Sequence, residues 1–164
     1  MVMRPSTMRN PLTTPTAPRD VVEAFLDALA DSDLERAGEL IAEDIDYINV
    51  GLPAIRGREK VLRALSVMDR PSASFEVYLH AISANGPTVL TERTDVLSLG
   101  RFRSQFWVSG RFDVTDGLIT LWRDSFDYLD LLRSAVRGLA GLAVPSLRPT
   151  PPTGSDAPGR PKHH

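Results

Sequence analysis

Cysteine is absent from this chain of 164 residues, which removes disulfides, thiolate metal sites and cysteine nucleophiles from consideration. Histidine is scarce. Of the three, His163 and His164 end a proline-rich tail, and only His80 lies in patterned sequence. A serine–histidine triad would have to use His80 without any nucleophile-elbow sequence. A metal site would rest on carboxylates and one imidazole, with no helical pair of histidines four apart. His80 therefore reads as structural. No stretch approaches the ~20 apolar residues of a membrane span, and residues 1–6 lack the apolar core of a secretory signal, so the expected compartment is the cytoplasm. Nineteen basic and 21 acidic residues give a net charge of -2 and are spread along the chain, unlike the basic face of a nucleic-acid-binding protein.

What is present fits one globular domain: 42% hydrophobic and 24% charged residues. Residues 1–17 and 149–164 are rich in Pro, Ser and Thr without periodicity and are expected to be disordered arms, leaving a domain over 18–148. Val22, Phe25, Leu26 and Leu29 predict an amphipathic helix over 19–31. Ser32-Asp33-Leu34-Glu35 has the pattern of a capping box and predicts a second helix with Leu34, Ala37, Leu40 and Ile41 inward. A short strand over 44–50 follows, then a break at Gly51-Leu52-Pro53 and a third helix from about Arg58 to Arg70. The second half is mostly strand. Phe75, Val77, Leu79 and Ala81 alternate with Glu76, Tyr78, His80 and Ile82, and strands are expected over 88–99, 103–114 and 118–126. Asn85-Gly86, Gly100-Arg101 and Asp116-Gly117 mark the turns between them. Residues 127–144 return to helical spacing. Helices followed by antiparallel strands make an α+β order.

Three polar clusters interrupt the apolar strands. Residues two apart on a strand share a face, so Tyr47 travels with Asn49 and Arg93 with Asp95. Arg93 and Asp95 lie in the stripe Val89, Thr91, Leu97, Leu99. Asp124 shares its face with Leu118, Thr120, Trp122 and Phe126. Polar groups that are costly to bury serve chemistry or complete a satisfied network. On the residues alone two readings stay open: a convergent site, or a surface ion pair worth ~0.2–1 kcal/mol beside ordinary strand-edge residues.

The segments Tyr47-Ile48-Asn49-Val50-Gly51, Leu90-Thr91-Glu92-Arg93-Thr94-Asp95, Gln105-Phe106-Trp107-Val108 and Ile119-Thr120-Leu121-Trp122-Arg123-Asp124 resemble, in that order, the limonene-1,2-epoxide hydrolase family, within the wider nuclear-transport-factor-2-like and SnoaL-like cone folds. The likeness spans about residues 20–148 and is greatest to mycobacterial and related actinobacterial members. It implies a strongly curved, mixed but mostly antiparallel sheet forming a cone, three N-terminal helices packed on it and a C-terminal helix at its rim. It also implies one-step addition of water to an epoxide with no covalent intermediate, metal or organic cofactor. Asp124 would be the general base, Tyr47 and Asn49 would hold the water, Asp95 would be the general acid, and Arg93 would hold both carboxylates. The resemblance further implies a homodimer.

Leu29, Leu65, Met68, Leu97, Phe106, Val108, Trp122, Phe126, Leu132 and Val136 are the apolar candidates to line the pocket. An apolar epoxide (terpenoid, fatty or sterol-like) is the substrate that such a lining implies. An isomerase or cyclase of the ketosteroid-isomerase type and a non-catalytic lipid-binding protein are the competing readings. On the latter, the helix over 127–144 offers a surface for a partner or for peripheral contact with a membrane.

Overall fold

The computed structural model describes residues 16–66 and 70–147. Most of the expected N-terminal arm, the C-terminal tail and Met68 lie outside the described residues. The elements run α1 (Pro18–Ala30), α2 (Leu34–Glu39), β1 (Ile41–Asn49), β2 (Ile55–Arg56), α3 (Arg58–Leu65), β3 (Ala73–Asn85), β4 (Thr88–Leu99), β5 (Phe102–Thr115), β6 (Leu118–Ser125) and α4 (Tyr128–Ala143). One mixed sheet has the order β2-β1-β6-β5-β4-β3. This is the expected α+β class. No helix among the described residues is long and apolar enough to cross a membrane.

Strands β3 to β6 form an antiparallel meander closed by short turns. At the last turn Asp116 and Gly117 both take positive φ, 51° and 78°, the backbone that a two-residue type I′ connection demands. β1 then joins the free edge of β6 in parallel, with Tyr47 opposite Trp122 and Asn49 opposite Asp124. α1 lies across β3 to β6, burying Val21, Val22, Phe25, Leu26 and Leu29. Phe25 meets Phe112 and Trp122 edge-on at 6.3 and 5.1 Å between ring centroids. Burial of each such large side chain contributes about 1.5–3 kcal/mol.

Several local expectations need correction. Ser32 does not cap α2. It has φ 56° and ends α1: Asp33 N–H bonds Ala28 C=O at 2.8 Å and Ser32 N–H bonds Leu29 C=O at 3.1 Å, a Schellman closure. Asp33 is left to cap α2, accepting from Arg36 N–H at 3.0 Å. Leu40 and Ile41 are buried as expected, but beyond the helix, because β1 begins at Ile41, three residues before the expected start. The short β2 was not foreseen, and α3 ends at Leu65 rather than near Arg70.

Irregularities in register also change side-chain parity. Between Leu79 and Ala81, β3 carries one residue more than β4, so Ala81 is exposed and Ile82 packs on the core. In β6 the register shifts opposite Asp113/Val114, so that Ile119, rather than Leu118 or Thr120, is fully buried. One extra residue reverses which side chains face inward. On β4, Leu99 is exposed at the strand end, and Thr94 and Val96 are buried on the opposite face.

α4 docks where β5 outruns β6, whose last partner on β5 is Ser109. Gln105 has no β6 partner, and Ser134 replaces the missing strand. Its hydroxyl accepts from Gln105 N–H at 2.8 Å and donates to Gln105 C=O at 2.6 Å. Gly138 lets the helix close in, since a Cβ there would lie 2.5 Å from the Arg103 carbonyl. Removing the hydroxyl strands the part-buried N–H and C=O of Gln105, so Ser134→Ala should lower unfolding free energy by about 1–3 kcal/mol in urea titration. An unchanged midpoint would mean that α4 is held by other contacts.

Candidate active site

Arg93 is the largest fully buried side chain described, at 1% exposure. It starts on β4 and reaches across β5 to β6. Its Nε donates to Asp95 Oδ1 at 2.9 Å and Oδ2 at 3.2 Å, its Nη2 to Asp124 Oδ2 at 2.6 Å, and its Nη1 to Thr91 Oγ1 at 3.3 Å. Asp95 and Asp124 are 4% and 5% exposed. The strand between them makes this span possible. Gly110 of β5 stands opposite both Thr91 and Asp124, and a Cβ on it would meet Arg93 Nη1 and lie 2.5 Å from Thr91 Oγ1. Only a residue without a side chain leaves a path for the guanidinium.

β1 supplies the other two polar groups. Parallel pairing sets Asn49 beside Asp124 and Tyr47 beside Trp122, with the Tyr47 and Trp122 rings stacked at 4.1 Å and 27°. Burial pushes the Tyr47 phenol up to about 12, with the Asn49 side-chain hydrogen bond opposing it, so the phenol stays protonated at any working pH. Burial likewise raises Asp95 to about 6; Arg93 pulls the other way, and the neighbouring Asp124 charge raises it further. For Arg93, burial favours the neutral form but the two carboxylates outweigh it, and its pKa lies above the ordinary arginine value. Asp124 Oδ1 is buried and has no hydrogen-bond partner among the described residues.

These groups open onto a cavity of about 250 Å³. Tyr47, Asn49, Asp95 and Asp124 form its polar part, and Leu29, Leu65, Leu97, Phe106, Val108, Trp122 and Phe126 line it. Ala64, Phe75, Leu52 and Leu131 complete the wall. Leu132 and Val136 do not take part: they are 60% and 58% exposed and point away. The apolar stripe of α4 reads as its inward face, but β5 requires a close-packing hydroxyl. The face carrying Ser134 and Gly138 therefore turns in, and Leu131 comes with it.

His80 is remote from this group. It stacks on Trp107 at 4.7 Å and 3°, and its Nε2 lies 2.8 Å from Thr94 Oγ1, on the other face of β4. Thr91 and Gly110 were missed as site residues. An isolated glycine within a long strand pattern was the available signal, because it marks close approach of another group.

The described catalytic domain of limonene-1,2-epoxide hydrolase matches residues 16–137. Epoxide hydrolase EphG of Mycobacterium tuberculosis is 48% identical over 129 residues, covering 79% of this chain and 86% of EphG. The solved structure of a limonene-epoxide-hydrolase-like epoxide hydrolase from M. tuberculosis superposes with a TM-score of 0.76 at 47% identity, over 81% of this chain and 94% of that one. A solved structure described as a ketosteroid isomerase from Kribbella flavida shares the fold at TM-score 0.57 and 24% identity, covering 67% and 77% of the two chains, and speaks for the fold alone. Family match, near-half identity and superposition over about four fifths of the chain agree: the chain belongs to the limonene-1,2-epoxide hydrolase family.

Proposed function

We propose that this cavity adds water across an apolar epoxide in one step, with Asp124 as general base and Asp95 as general acid. An epoxide hydrolase of the limonene-1,2-epoxide hydrolase type is what family membership makes the chain; the residue roles and substrate class are our reading. Arg93 carries that reading, because it hydrogen-bonds both carboxylates beneath one apolar cavity. Water is a poor nucleophile and an alkoxide a poor leaving group, so proton removal and proton donation must act together. Asp124 commits Oδ2 to Arg93 and keeps Oδ1 to take the proton of a water. Tyr47 and Asn49, beside it on β1, would hold that water by hydrogen bonds, the phenol remaining neutral. Asp95, held by burial and by the Asp124 charge above the usual carboxylate range, would protonate the opening epoxide oxygen. No covalent enzyme intermediate is required. The apolar lining favours a terpenoid, fatty or sterol-like epoxide. Cone-like curvature of the sheet and a homodimer belong to the same proposal, the latter supported by the exposed stripe Leu129, Leu132, Val136 and Leu139 on α4.

Each positioned acid or base is worth roughly 10²–10⁴-fold, so Asp124→Asn and Asp95→Asn should each lower kcat by at least that range while melting cooperatively. Assays run in labelled water across terpene, aryl, fatty and sterol epoxides, with a ketosteroid alongside, should put the label into a diol. Turnover of the ketosteroid alone would overturn the proposal. Asp95 must hold its proton to act, and that proton is lost as pH rises through about 6. kcat should therefore fall on the alkaline side of that value; a rate still climbing above pH 8 would remove Asp95 as the acid. Gly110→Ala intrudes on Arg93 and should lower kcat by about tenfold or more, with a smaller change in KM, because misplacement of about 1 Å costs up to ~10²-fold. Wild-type kinetics in that variant would show that the guanidinium has room to spare.

A further inference from the structure

We propose that Tyr128 is a positioning residue that clasps the mouth of the cavity and sets which epoxides it admits, an inference that rests on the epoxide-opening reading above. Tyr128 is the first residue of α4, held in place by the Asp127 cap, whose carboxylate accepts from Leu129 N–H at 2.8 Å. From there it reaches back across the molecule. Its hydroxyl donates a hydrogen bond to the Val50 carbonyl, 78 residues earlier in the chain. Its ring sits on Gly51, where a Cβ would come within 2.6 Å of the phenolic oxygen and 3.0 Å of the ring carbons. Gly51 has φ +94°, a conformation that favours glycine, so the turn under the ring is specific to this residue type. On its other side the Tyr128 ring meets Phe126 edge-on at 5.1 Å, and Phe126 meets Phe106 in the same manner at 6.1 Å.

These contacts join two parts of the cavity wall that the sheet does not connect. Leu52, one residue beyond Gly51, lines the cavity from the β1–β2 loop and is exposed at its rim. Leu131, one turn along α4, lines the same cavity. The Val50 peptide is the shared anchor: its N–H bonds the Asp124 carbonyl at 2.9 Å and its C=O accepts from Tyr128. The loop folds back through Leu52 N–H to the Asn49 carbonyl at 2.9 Å. α4 is fixed farther along by Ser134 and Gly138. Tyr128 therefore ties the loop carrying Leu52 to α4, which Ser134 and Gly138 hold against β5. Without its hydroxyl the loop keeps the Val50 N–H bond to Asp124 and its own Leu52–Asn49 bond but loses its tie to α4, and the aperture at Leu52 widens.

The test compares wild type, Tyr128→Phe, Leu52→Ala and the double variant on two substrates, a linear 1,2-epoxyalkane and a cyclic terpene epoxide. Thermal melting of each variant comes first. Binding of the two corresponding diols, followed by tryptophan fluorescence, is measured in parallel. Tyr128→Phe should raise the ratio of kcat/KM for the cyclic over the linear epoxide about fivefold, the weight of one net hydrogen bond, and should do so through KM. Leu52→Ala should move the ratio the same way, and the double variant should move it little further, since both changes open one aperture. An unchanged ratio in Tyr128→Phe would overturn the clasp, as would an equal fall in kcat for both substrates at constant KM. Additive effects in the double variant would also overturn it. Should wild type hydrolyse neither epoxide, the catalytic reading fails by itself. Diol binding then decides the clasp: a relaxed preference in Tyr128→Phe upholds it and an unchanged preference ends it.

Discussion

A guanidinium held out of water between two carboxylates is the constraint around which this molecule is arranged. Buried ion groups are poor sources of stability, because desolvation consumes most of the attraction between them. Arg93 is tolerated because Asp95, Asp124 and Thr91 each take part of its hydrogen-bonding capacity. The pair of carboxylates is tolerated for the same reason, the cation lying between charges that would otherwise repel. Burial still dominates at Asp95, whose pKa rises in spite of the arginine. Asp95 can thus still carry a proton although it touches the cation directly.

The surrounding fold follows from accommodating that span. Arg93 must cross a whole strand to reach Asp124, so β5 carries Gly110 at the crossing. Tyr47 and Asn49 come from a distant part of the chain, and only the parallel pairing of β1 with β6 brings Asn49 level with Asp124. Because β6 stops opposite Ser109, the rest of β5 needs a different partner. α4 supplies one through Ser134 and in doing so forms a wall of the cavity. Tyr128, at the start of the same helix, returns to the strand end that bears Asn49. The helices that shape the pocket therefore all attach to the one sheet that carries the charged group.

Much of this was legible beforehand. The alternation around Arg93 and Asp95 identified a shared face, and the structure buries that face as read, from Val89 to Leu97. Helical spacing in α1 picked out the residues that pack on the sheet. Failures came where a local pattern had two solutions. Ser32 and Asp33 are both good caps, and closure of α1 used the first. Period-two alternation reads through an extra residue without notice, so the parity of Ala81 and Ile82 and of Leu118 to Thr120 was reversed. In α4 the apolar stripe and the small-residue face are both helical, and hydrophobicity favoured the wrong one, leaving Leu132 and Val136 outside and Leu131 within.

The amino-acid sequence by itself determined the main helices and long strands, the turns between the meander strands and the pairing of Tyr47 with Asn49 and of Arg93 with Asp95. These depend on periodicity and backbone chemistry over a few residues, which any stretch of chain carries within itself. Tertiary structure alone decided that Arg93 reaches Asp124 over Gly110, that β1 lies beside β6, that α4 turns its small residues inward, and that burial outweighs the cation at Asp95. Each depends on groups far apart in the chain competing for one dry space, and that competition is resolved only when the sheet and helices close around it.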